Sequence, residues 1–411
     1  MEIKRDLYLA KLIQSKENGL IKVVTGLRRS GKSYLLKTLF KTHLLETGVE
    51  ADHILIIDLE NIRNKAFLDI NYFIKWLDEH IQDNKTHYLI IDEIQNIPNF
   101  TELLGGLVTT EHLDVYVTGS NSHLLSSDVA TEFRGRGEEI HLYPLSFAEF
   151  CSVYSGNEVD ALQEYITYGG LPYVHTLPND EKKSNYLEQI YRSVYLRDIF
   201  ERYTIVNPKE FQELLRILSS CIGTPQNANK IANTFKTIKK LQAITPKTID
   251  NYINHIENAF LLEEAQRYDI KGRQYIGNLS KYYFQDLGLR NVILHFRQIE
   301  ETHLMENLLY NQLRMLGYQV DVGNIPIRTT INGEQKRSNL EIDFIVNRGS
   351  QRYYIQSAWR LPDAEKREQE IRPFINVADS FPKIVVVGEQ MKLRRDENGI
   401  IYISIYQFLK E

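Results

Sequence analysis

A glycine-rich stretch near the start of the chain has the residue types that bind a nucleotide phosphate. Residues 26–33 read GLRRSGKS and fit the pattern G-x-x-x-x-G-K-[S/T]. Its glycines allow a tight turn that aims backbone N–H groups inward, and the helix expected to follow adds a positive N-terminal end. Lys32 would reach the β- and γ-phosphates of ATP, and the Ser33 hydroxyl would bind Mg²⁺. The residues expected to contact the nucleotide are Gly26, Leu27, Arg28, Arg29, Ser30, Gly31, Lys32, Ser33 and Tyr34.

A second group of chemically active residues follows an apolar run. Residues 87–97 read HYLIIDEIQNI, so that Asp92 and Glu93 come directly after the run. In P-loop enzymes an aspartate at this place holds Mg²⁺, and an adjacent glutamate can activate the attacking water as a general base. Without the glycine-rich loop, a solvated acidic turn would be the better interpretation. Glu93 also favours hydrolysis over a small-molecule kinase, which often lacks this second carboxylate.

A third polar cluster, in VYVTGSNSHLL (115–125), ends another apolar run. Ser120 or Asn121 could sense the γ-phosphate and orient water. The alternative is ordinary turn chemistry, because Gly, Ser and Asn populate turns in any case.

Two arginines follow in EFRGRGEEIHLYPLSFAEF (132–150). Arg134 or Arg136 could act as an arginine finger, either in its own subunit or across a subunit boundary. A surface arginine in a glycine-rich loop is the alternative. A finger that acts on a neighbouring subunit would require a homo-oligomer.

Alternating strand and helix patterns must position these residues. Apolar runs at 21–25, 53–58, 87–92 and 114–119 read as buried strands, with helical spacing at 33–46 and 70–83 between them. Strands that alternate with helices predict a parallel sheet, and near-continuous apolar strands predict helices on both of its faces. The fold class is therefore α/β.

Composition describes an ordinary soluble intracellular chain. A chain of 411 residues is too long to fold around one ordinary hydrophobic core. Hydrophobic residues make up 43% of it and charged residues 25%. The net charge of −5 argues against a wholly basic protein that covers nucleic acid with its entire surface. Cys151 and Cys221 have no metal-type spacing and form no disulfide framework, which fits a reducing cytoplasm. No apolar run approaches the ~18 residues that span a bilayer, so no membrane partner is expected.

The second half changes character twice. Helical periodicity dominates from about residue 151, and TPKTIDNYINHIENAFLL (245–262) begins with a capping threonine and a proline typical of a helix start. From about residue 276, strand-like runs at 318–323, 340–347, 352–358 and 383–388 predict another α/β unit with a helix around 302–316.

Taken together, these segments resemble a known family. The stretches LIKVVTGLRRSGKSYLL, YLIIDEIQN, VTGSNSHLLSS, FRGRGEEIHLYPLSFAEF and YGGLPYV are similar to prokaryotic AAA-type ATPases of the AAA_14 kind. The stretches YLRDIFERY, KYYFQDLGLRN and LEIDFIV resemble the domain called DUF4143 that usually follows. The resemblance implies binding and hydrolysis of ATP with Mg²⁺, a winged-helix-like middle and a restriction-endonuclease-like C-terminal part. The expected domains are 1–205 (ATPase, with a helical extension from about 151), 206–275 (winged-helix-like) and 276–411 (nuclease-like).

A nuclease of the kind implied by this resemblance needs carboxylates that converge on Mg²⁺ and a lysine that stabilises developing charge. The matching positions are Glu306, Asp343 and Gln356. Gln356 replaces a carboxylate, and Ala358 stands where the lysine is expected, unless Arg360 or Lys366 substitutes for it. The expected unit is therefore a degenerate nuclease fold that binds or packs without cleaving.

The middle segment is basic between residues 228 and 247, where Lys230, Lys236, Lys239, Lys240 and Lys247 are accompanied by no acidic residue. With the helix that follows, this favours contact with the DNA backbone. The alternative is a winged helix used for packing inside the protein. We therefore expect a cytoplasmic ATPase coupled to nucleic-acid binding or processing. Its alternative is a nucleotide-dependent switch whose C-terminal half binds a protein partner.

Overall fold

The polypeptide divides into two units at residue 144. A computed structural model of the chain describes residues 3–120, 135–238, 244–277, 279–297, 299–331 and 334–411. Unit 1 comprises Met1–Pro144 with Asn258–Phe260, and unit 2 comprises Leu145–Glu257 with Leu261–Glu411. The described residues form one sheet in unit 1 and two sheets in unit 2. Among the described helices, none is both long and apolar enough to cross a membrane.

The apolar runs of unit 1 form neighbouring strands of one sheet. Its strands are β1 (Ile21–Thr25), β2 (Ile54–Asp58), β3 (His87–Asp92), β4 (Leu113–Thr118) and β5 (Gly137–His141). Their order is β2-β3-β4-β1-β5, and every neighbouring pair is parallel. The predicted parallel sheet is confirmed. Strand β5 was not predicted, because the short sequence GEEIH is polar and largely exposed at the sheet edge.

Alternate side chains of these strands pack against helices on opposite faces of the sheet. One apolar cluster includes Val23, Leu89 and the helix residue Phe73, and the other includes Val24, Ile90 and the residues of two further helices. The helices of unit 1 are α1 (Asp6–Gln14), α2 (α-helical at Lys32–Tyr34 and Lys41–Glu46, π-helical at Leu35–Phe40), α3 (Ile70–His80) and α4 (Phe100–Leu107), with 3₁₀ turns at Ala51–His53, Ile62–Leu68 and Ile94–Asn96. Burial on both faces explains why the strands are nearly continuous apolar runs.

Unit 2 begins with helices. They are α5 (Phe147–Cys151), α6 (Glu158–Tyr168), α7 (α-helical at Asp180–Ile190 and Arg197–Arg202, π-helical at Tyr191–Leu196), α8 (Pro208–Ser220), α9 (Ala228–Ile238) and α10 (Pro246–Asn258), with a 3₁₀ turn at Pro172–Thr176. The Thr245 side chain accepts a hydrogen bond from the Thr248 N–H at 3.2 Å, as a residue that caps the start of α10 does. A two-stranded antiparallel sheet, β6 (Leu262–Ala265) with the strand Lys281–Phe284, follows these helices.

The rest of unit 2 is built on a mixed sheet of eight strands. Its strands are β7 (Arg267–Asp269), β8 (Gln274–Tyr275), β10 (Gln319–Ile331), β11 (Glu334–Arg348), β12 (Gln351–Ala358), β13 (Lys383–Val387), β14 (Arg394–Arg395) and β15 (Ile401–Ser404). The label β9 belongs to the strand Lys281–Phe284 of the small sheet. The helices of this region are α11 (Leu287–Ile293), α12 (Glu301–Met315), α13 (Ala364–Ile375) and α14 (Ile405–Phe408). The strand order is β14-β15-β13-β12-β11-β10-β7-β8. From α12 to β13 the elements follow as helix, three antiparallel-linked strands, helix and parallel strand. The predicted α/β character of this region is confirmed.

Two of the segments that carry the family resemblance, YGGLPYV and KYYFQDLGLRN, meet inside unit 2. The turn of YGGLPYV brings the Gly170 N–H to the Asp286 carboxylate at 2.8 Å, and Asp286 also caps α11 through the Leu289 N–H at 2.9 Å. Gly169 has φ +76°, and a Cβ there would lie 2.4 Å from the Asp286 carboxylate. Only glycine fits such a position without strain. These motifs therefore join helices of unit 2 to one another.

Candidate functional site

The glycine-rich loop lies at the carboxyl edge of the unit 1 sheet, between β1 and α2. Gly26 has φ +137°, and a Cβ there would lie 2.1 Å from the Leu142 carbonyl oxygen. Gly31 has φ 103° and immediately precedes the first α-helical residue, Lys32. Both glycines therefore hold conformations that an L side chain would oppose, and they place the loop backbone at the positive end of α2.

Lys32 is folded back into the loop. Its ammonium group is buried and donates to the carbonyl oxygens of Gly26 at 3.0 Å and Leu27 at 3.2 Å. Burial lowers the pKa of Lys32, while the nearby carboxylates Glu93 and Asp92 act in the opposite direction. A lysine held by exchangeable carbonyl bonds inside a loop of backbone donors is placed to pair with a bound phosphate.

Ser33 and Asp92 come together as the sequence predicts for a magnesium site. The Ser33 hydroxyl donates to Asp92 Oδ1 at 3.0 Å. Two oxygen ligands at right angles around Mg²⁺, each at about 2.1 Å, would be about 3.0 Å apart. The hydroxyl and carboxylate oxygens therefore fit two neighbouring positions of an octahedral magnesium shell.

Lys37 and Asp58 complete the acidic end of this site, and neither was predicted from the sequence. Lys37 contacts Asp58 at 2.7 Å and Asp92 at 2.6 Å. Burial opposes the charge on Lys37, but its bonds to the two carboxylates outweigh burial and raise its pKa. The strand sequences HILIID and HYLIID end with these aspartates, and the parallel register aligns Asp58 with Asp92. That shared ending is the signal that could have identified Asp58.

Glu93 lies beside Asp92 in a defined hydrogen-bonded arrangement. Its backbone is in the left-handed region at φ 58°, and its N–H donates to Thr118 Oγ1 at 2.8 Å. Its carboxylate accepts hydrogen bonds from Gln95 and, at 3.2 Å, from the Ser120 hydroxyl. Ser120, one of the two predicted γ-phosphate sensors, therefore contacts the predicted base.

Thr118 connects the two acidic residues and was missed by the sequence analysis. Its hydroxyl donates to Asp92 Oδ1 at 2.6 Å while it accepts from the Glu93 N–H. Thr118 is the last residue of β4 and is fully buried. A hydroxyl at the end of a buried strand, next to the strand that carries Asp92, was the available signal.

The other loop residues predicted to contact nucleotide surround this core in different ways. Leu27 and Ser30 are buried, Arg28 pairs with Glu60 at 2.8 Å, and Arg29 has φ 66°. Tyr34 packs against the apolar cluster that includes Phe40.

Arg136, one of the two predicted arginine fingers, does not join the site in this unit. Arg136 is exposed, and its carbonyl accepts from the Ile21 N–H at 2.9 Å, at the amino edge of the sheet. The five residues of β1 separate it from the loop by about 17 Å, at about 3.3 Å per residue. This placement opposes a role for Arg136 at its own loop, so the finger supplied to a neighbouring subunit stays a prediction. Asn121 and Arg134 lie outside the described residues.

The predicted degenerate nuclease residues meet around a lysine in unit 2. Lys281 of β9 contacts Glu306 at 2.7 Å, Glu341 at 2.9 Å and Asp343 at 3.8 Å. Burial would lower the pKa of Lys281, but these carboxylates outweigh burial and raise it. The ammonium group therefore occupies the position between the carboxylates.

The lysine among these carboxylates is none of the candidates considered near β12. Ala358 is buried in an apolar cluster, Arg360 lies 3.9 Å from Glu389, and Lys366 pairs with Glu370 at 2.6 Å. Lys281, some 80 positions earlier in the chain, supplies the cation instead. Sequence spacing around β12 held no signal for it, since Lys281 lies on β9, outside the sheet that contains β11 and β12.

Gln356 is also part of the cluster but faces the Asp343 backbone. Its Oε1 accepts from the Asp343 N–H at 3.4 Å, and the Ser357 N–H donates to the Asp343 carboxylate at 2.8 Å. Burial and the charge of Glu306 raise the pKa of Asp343 well above its usual range. Across the described part of unit 2, no three His, Cys, Asp or Glu ligand atoms gather closely enough to hold a metal ion.

Comparison with known families divides the chain close to the structural boundary. Residues 18–151 match the family AAA_14, described as an AAA domain. Residues 159–300 match a domain of unknown function, DUF8612. The expected DUF4143 identity is therefore not confirmed, and DUF8612 takes its place over this range.

Two curated relatives span most of the chain. An "Uncharacterized protein" of Haemophilus influenzae is 32% identical over 99% of this chain and 98% of its own length. "Uncharacterized protein MJ1544" of Methanocaldococcus jannaschii is 29% identical over 90% of this chain and 80% of its own length.

Solved structures show a more distant likeness. The ORC2 protein of Aeropyrum pernix, in ADPNP and ADP complexes, has a TM-score of 0.38 and 11% identity over 70% of this chain and 91% of its own. The ORC1 protein of the same organism, in complex with DNA, has a TM-score of 0.32 and 12% identity over 71% and 92%. Similarity this low carries no argument about what either unit binds.

Proposed function

Since this protein belongs to the same family as its Haemophilus influenzae relative and its residues 18–151 match an AAA domain, we propose that it hydrolyses ATP to ADP and phosphate with Mg²⁺. The observation that carries the proposal is the convergence of four groups at one sheet edge. Lys32, Ser33, Asp92 and Glu93 come from the loop after β1 and the end of β3. That set combines phosphate binding, metal binding and a base for water.

Each residue has a separate part in this reaction. The Lys32 ammonium exchanges its carbonyl partners for phosphate oxygens and offsets the charge that develops on them. Ser33 and Asp92 would hold Mg²⁺, which when bound neutralises charge on the phosphates. The Glu93 carboxylate accepts the proton of the attacking water. Thr118 and Ser120 hold Asp92 and Glu93 in position.

Phosphate release measured with purified protein tests this proposal. The wild-type chain is expected to release phosphate from ATP only when Mg²⁺ is present. Lys32→Ala should reduce the rate at least 100-fold, because the loop loses its cation. Lys41→Ala, on the same helix but outside the site, is the matched control and should retain activity. Equal rates in Lys32→Ala and the control would contradict the proposal.

A nucleic-acid role for unit 2 is the finer part of the proposal. Helices α8, α9 and α10 precede the antiparallel pair β6 and β9, and the bridge between Gln226 and Ser280 adds to that pair. Three helices with a small antiparallel sheet are the parts of a winged helix. Lys230 and Lys236 on α9 and Lys247 on α10 are exposed, which supports contact with a phosphate backbone.

DNA-dependent turnover tests this role. Duplex DNA at low salt should increase phosphate release and slow the protein in a gel. Replacement of Lys230, Lys236 and Lys247 by glutamine should remove both effects and leave DNA-free turnover unchanged. If DNA changes neither turnover nor mobility, the competing proposal stands, in which a nucleotide-dependent switch acts on a protein partner.

We propose that the nuclease-like cluster of unit 2 does not cleave DNA. Support comes from Lys281, whose ammonium group already balances Glu306, Glu341 and Asp343, and from the neutral amide of Gln356. Branched, single-stranded and duplex DNA should stay intact with Mg²⁺ or Mn²⁺. Cleavage that disappears in Asp343→Ala would show that the cluster is a working nuclease site.

A further inference from the structure

The sheet of unit 1 carries a second group of polar residues at its amino edge, opposite the nucleotide-binding loop. His53 directly precedes β2, and His87 is the first residue of β3. The parallel register pairs Ile54 with Tyr88, so the two histidines are neighbours, with ring centroids 4.5 Å apart. Both are buried, at 5% and 3% exposure. Nothing in the proposed ATPase chemistry uses them.

Asp83, in the loop before β3, completes a three-residue group. One ring nitrogen of each histidine and a carboxylate oxygen of Asp83 all lie within 4.8 Å of one another. His53 Nε2 is 3.0 Å from Asp83 Oδ2. Ligands of a tetrahedral ion with bonds near 2.0–2.1 Å are about 3.3 Å apart. The distance between His53 and Asp83 is already close to that spacing, and the Asp83 side chain is 45% exposed, so it has room to adjust around an ion.

The outer hydrogen bonds of both rings match those of metal-binding histidines. His87 Nδ1 lies 3.0 Å from the Lys85 carbonyl oxygen, which only accepts, so Nδ1 carries the hydrogen and Nε2 carries the lone pair. His53 Nδ1 lies 2.9 Å from the Asp52 carboxylate, which fixes the ring orientation. Its Nε2 faces the Asp83 carboxylate and carries a hydrogen there, so a bound ion would displace that proton into solvent. A carbonyl or carboxylate on the far nitrogen is the usual partner of a metal-bound imidazole.

We propose that His53, His87 and Asp83 form a binding site for a zinc-class divalent ion. Two imidazoles and one carboxylate suit Zn²⁺ and Co²⁺ and differ from the all-oxygen shell that Mg²⁺ prefers. Three protein ligands leave a fourth position for water. The site lies a strand length, about 17 Å at 3.3 Å per residue, from Asp58 and Asp92. It is therefore separate from the proposed magnesium site. A bound ion would link the segment that precedes β2 to the segment that precedes β3.

Cobalt binding tests the site without reference to ATP turnover. The chelator-treated full chain is titrated with Co²⁺ and followed by visible absorption. One equivalent should produce the intense bands of a four-coordinate ion, and Zn²⁺ should displace it. Asp83→Asn changes a partly exposed side chain and should abolish the bands while circular dichroism stays unchanged. His53→Gln should do the same, whereas His43→Gln, in the same unit but outside the group, should bind as the wild type.

Asp52→Asn tests whether Asp52 orients the His53 ring without itself binding the ion. It should weaken Co²⁺ binding about 10- to 100-fold without removing the bands, because only the partner of His53 Nδ1 changes. Absence of a stoichiometric cobalt complex, or bands that persist in Asp83→Asn and His53→Gln, would overturn the proposal. The group would then be an ion pair between histidine and aspartate.

Discussion

At the scale of single residues, the site depends on side chains that hold the reacting groups as well as on those groups themselves. The sequence identified Lys32, Ser33, Asp92 and Glu93, because loop spacing and an apolar run that ends in Asp-Glu are local patterns. It did not identify Thr118 or Lys37. Their partners lie 26 and 55 residues away in sequence, so that only the strand order makes them neighbours.

Thr118→Val tests this positioning role. Valine keeps the shape but removes the hydroxyl that joins Asp92 to the Glu93 N–H. We expect kcat for ATP hydrolysis to fall about 10- to 100-fold, since small displacements of catalytic groups are costly, with KM changed much less. Thr118→Ser should recover most of the rate. Turnover of Thr118→Val close to wild type would show that the hydroxyl positions nothing of importance.

Glu257 at the end of α10 provides a test by pH. Burial, followed by repulsion from Glu264 and Glu263, raises the pKa of Glu257 to about 8. The folded chain therefore keeps a proton that the unfolded chain releases near the ordinary pKa of 4.5. Between these values the folded state binds more protons, so the contribution of Glu257 to stability falls as pH rises.

Glu257→Gln should flatten this part of the pH dependence. Urea unfolding at pH 5, 6, 7 and 8 should show the free-energy difference between the variant and wild type growing in favour of the variant as pH rises. A difference that is constant with pH would mean that Glu257 titrates normally in the folded state.

At the scale of elements, hydrophobic periodicity predicted the long, buried parts of the fold. The predicted strands at 21–25 and 87–92 coincide with β1 and β3, and the helix expected around 302–316 is Glu301–Met315. Short or polar strands such as β5 and β14 gave no such signal, because pairing with neighbours defines them rather than their own composition.

Strand β1 also contains a buried lysine, which hydrophobic periodicity alone does not predict. Lys22 is fully buried, and it pairs with Asp114, donates to the Leu20 carbonyl at 3.0 Å and lies 5.0 Å from the Tyr116 ring centroid. Because β1 and β4 are neighbours, the pair links two adjacent strands of the sheet. A buried ammonium is tolerated only when such partners surround it.

Asp114→Ala should therefore destabilise the sheet strongly. It leaves the Lys22 charge without its counter-ion, a change that typically costs about 3–5 kcal/mol in unfolding free energy. Urea denaturation measures the loss, and the double variant Lys22→Met with Asp114→Leu should recover part of it. A loss below about 1 kcal/mol would show that Lys22 is compensated elsewhere.

At the scale of the whole molecule, the chain joins a nucleotide-binding unit to a second α/β unit whose polar cluster is assembled from distant segments. Sequence patterns predicted both α/β parts, and the family resemblance implied a cluster at Glu306, Asp343 and Gln356. They could not predict Lys281, since the side chains that surround it come from β9, α12 and β11. Resemblance to a nuclease fold gave the carboxylates, but only tertiary structure gave their counter-ion.

Lys281→Met tests how far unit 2 depends on this cation. Its removal leaves the buried Glu306 carboxylate without its counter-ion, so we expect a loss of about 3–5 kcal/mol in unfolding free energy. Glu341→Gln, which alters the most exposed of the three carboxylates, should cost less. If Lys281→Met unfolds like the wild type, the cluster contributes to something other than stability.

The most direct measurement of the central claim is phosphate release by Glu93→Gln. The substitution keeps the shape of the side chain and removes the base, and neither the loop nor Asp92 is changed. We predict that turnover falls at least 100-fold while Mg²⁺-dependent ATP binding, measured with a fluorescent analogue, stays within a few-fold of wild type. Phosphate release at the wild-type rate would contradict the assignment of Glu93 as the base that activates water.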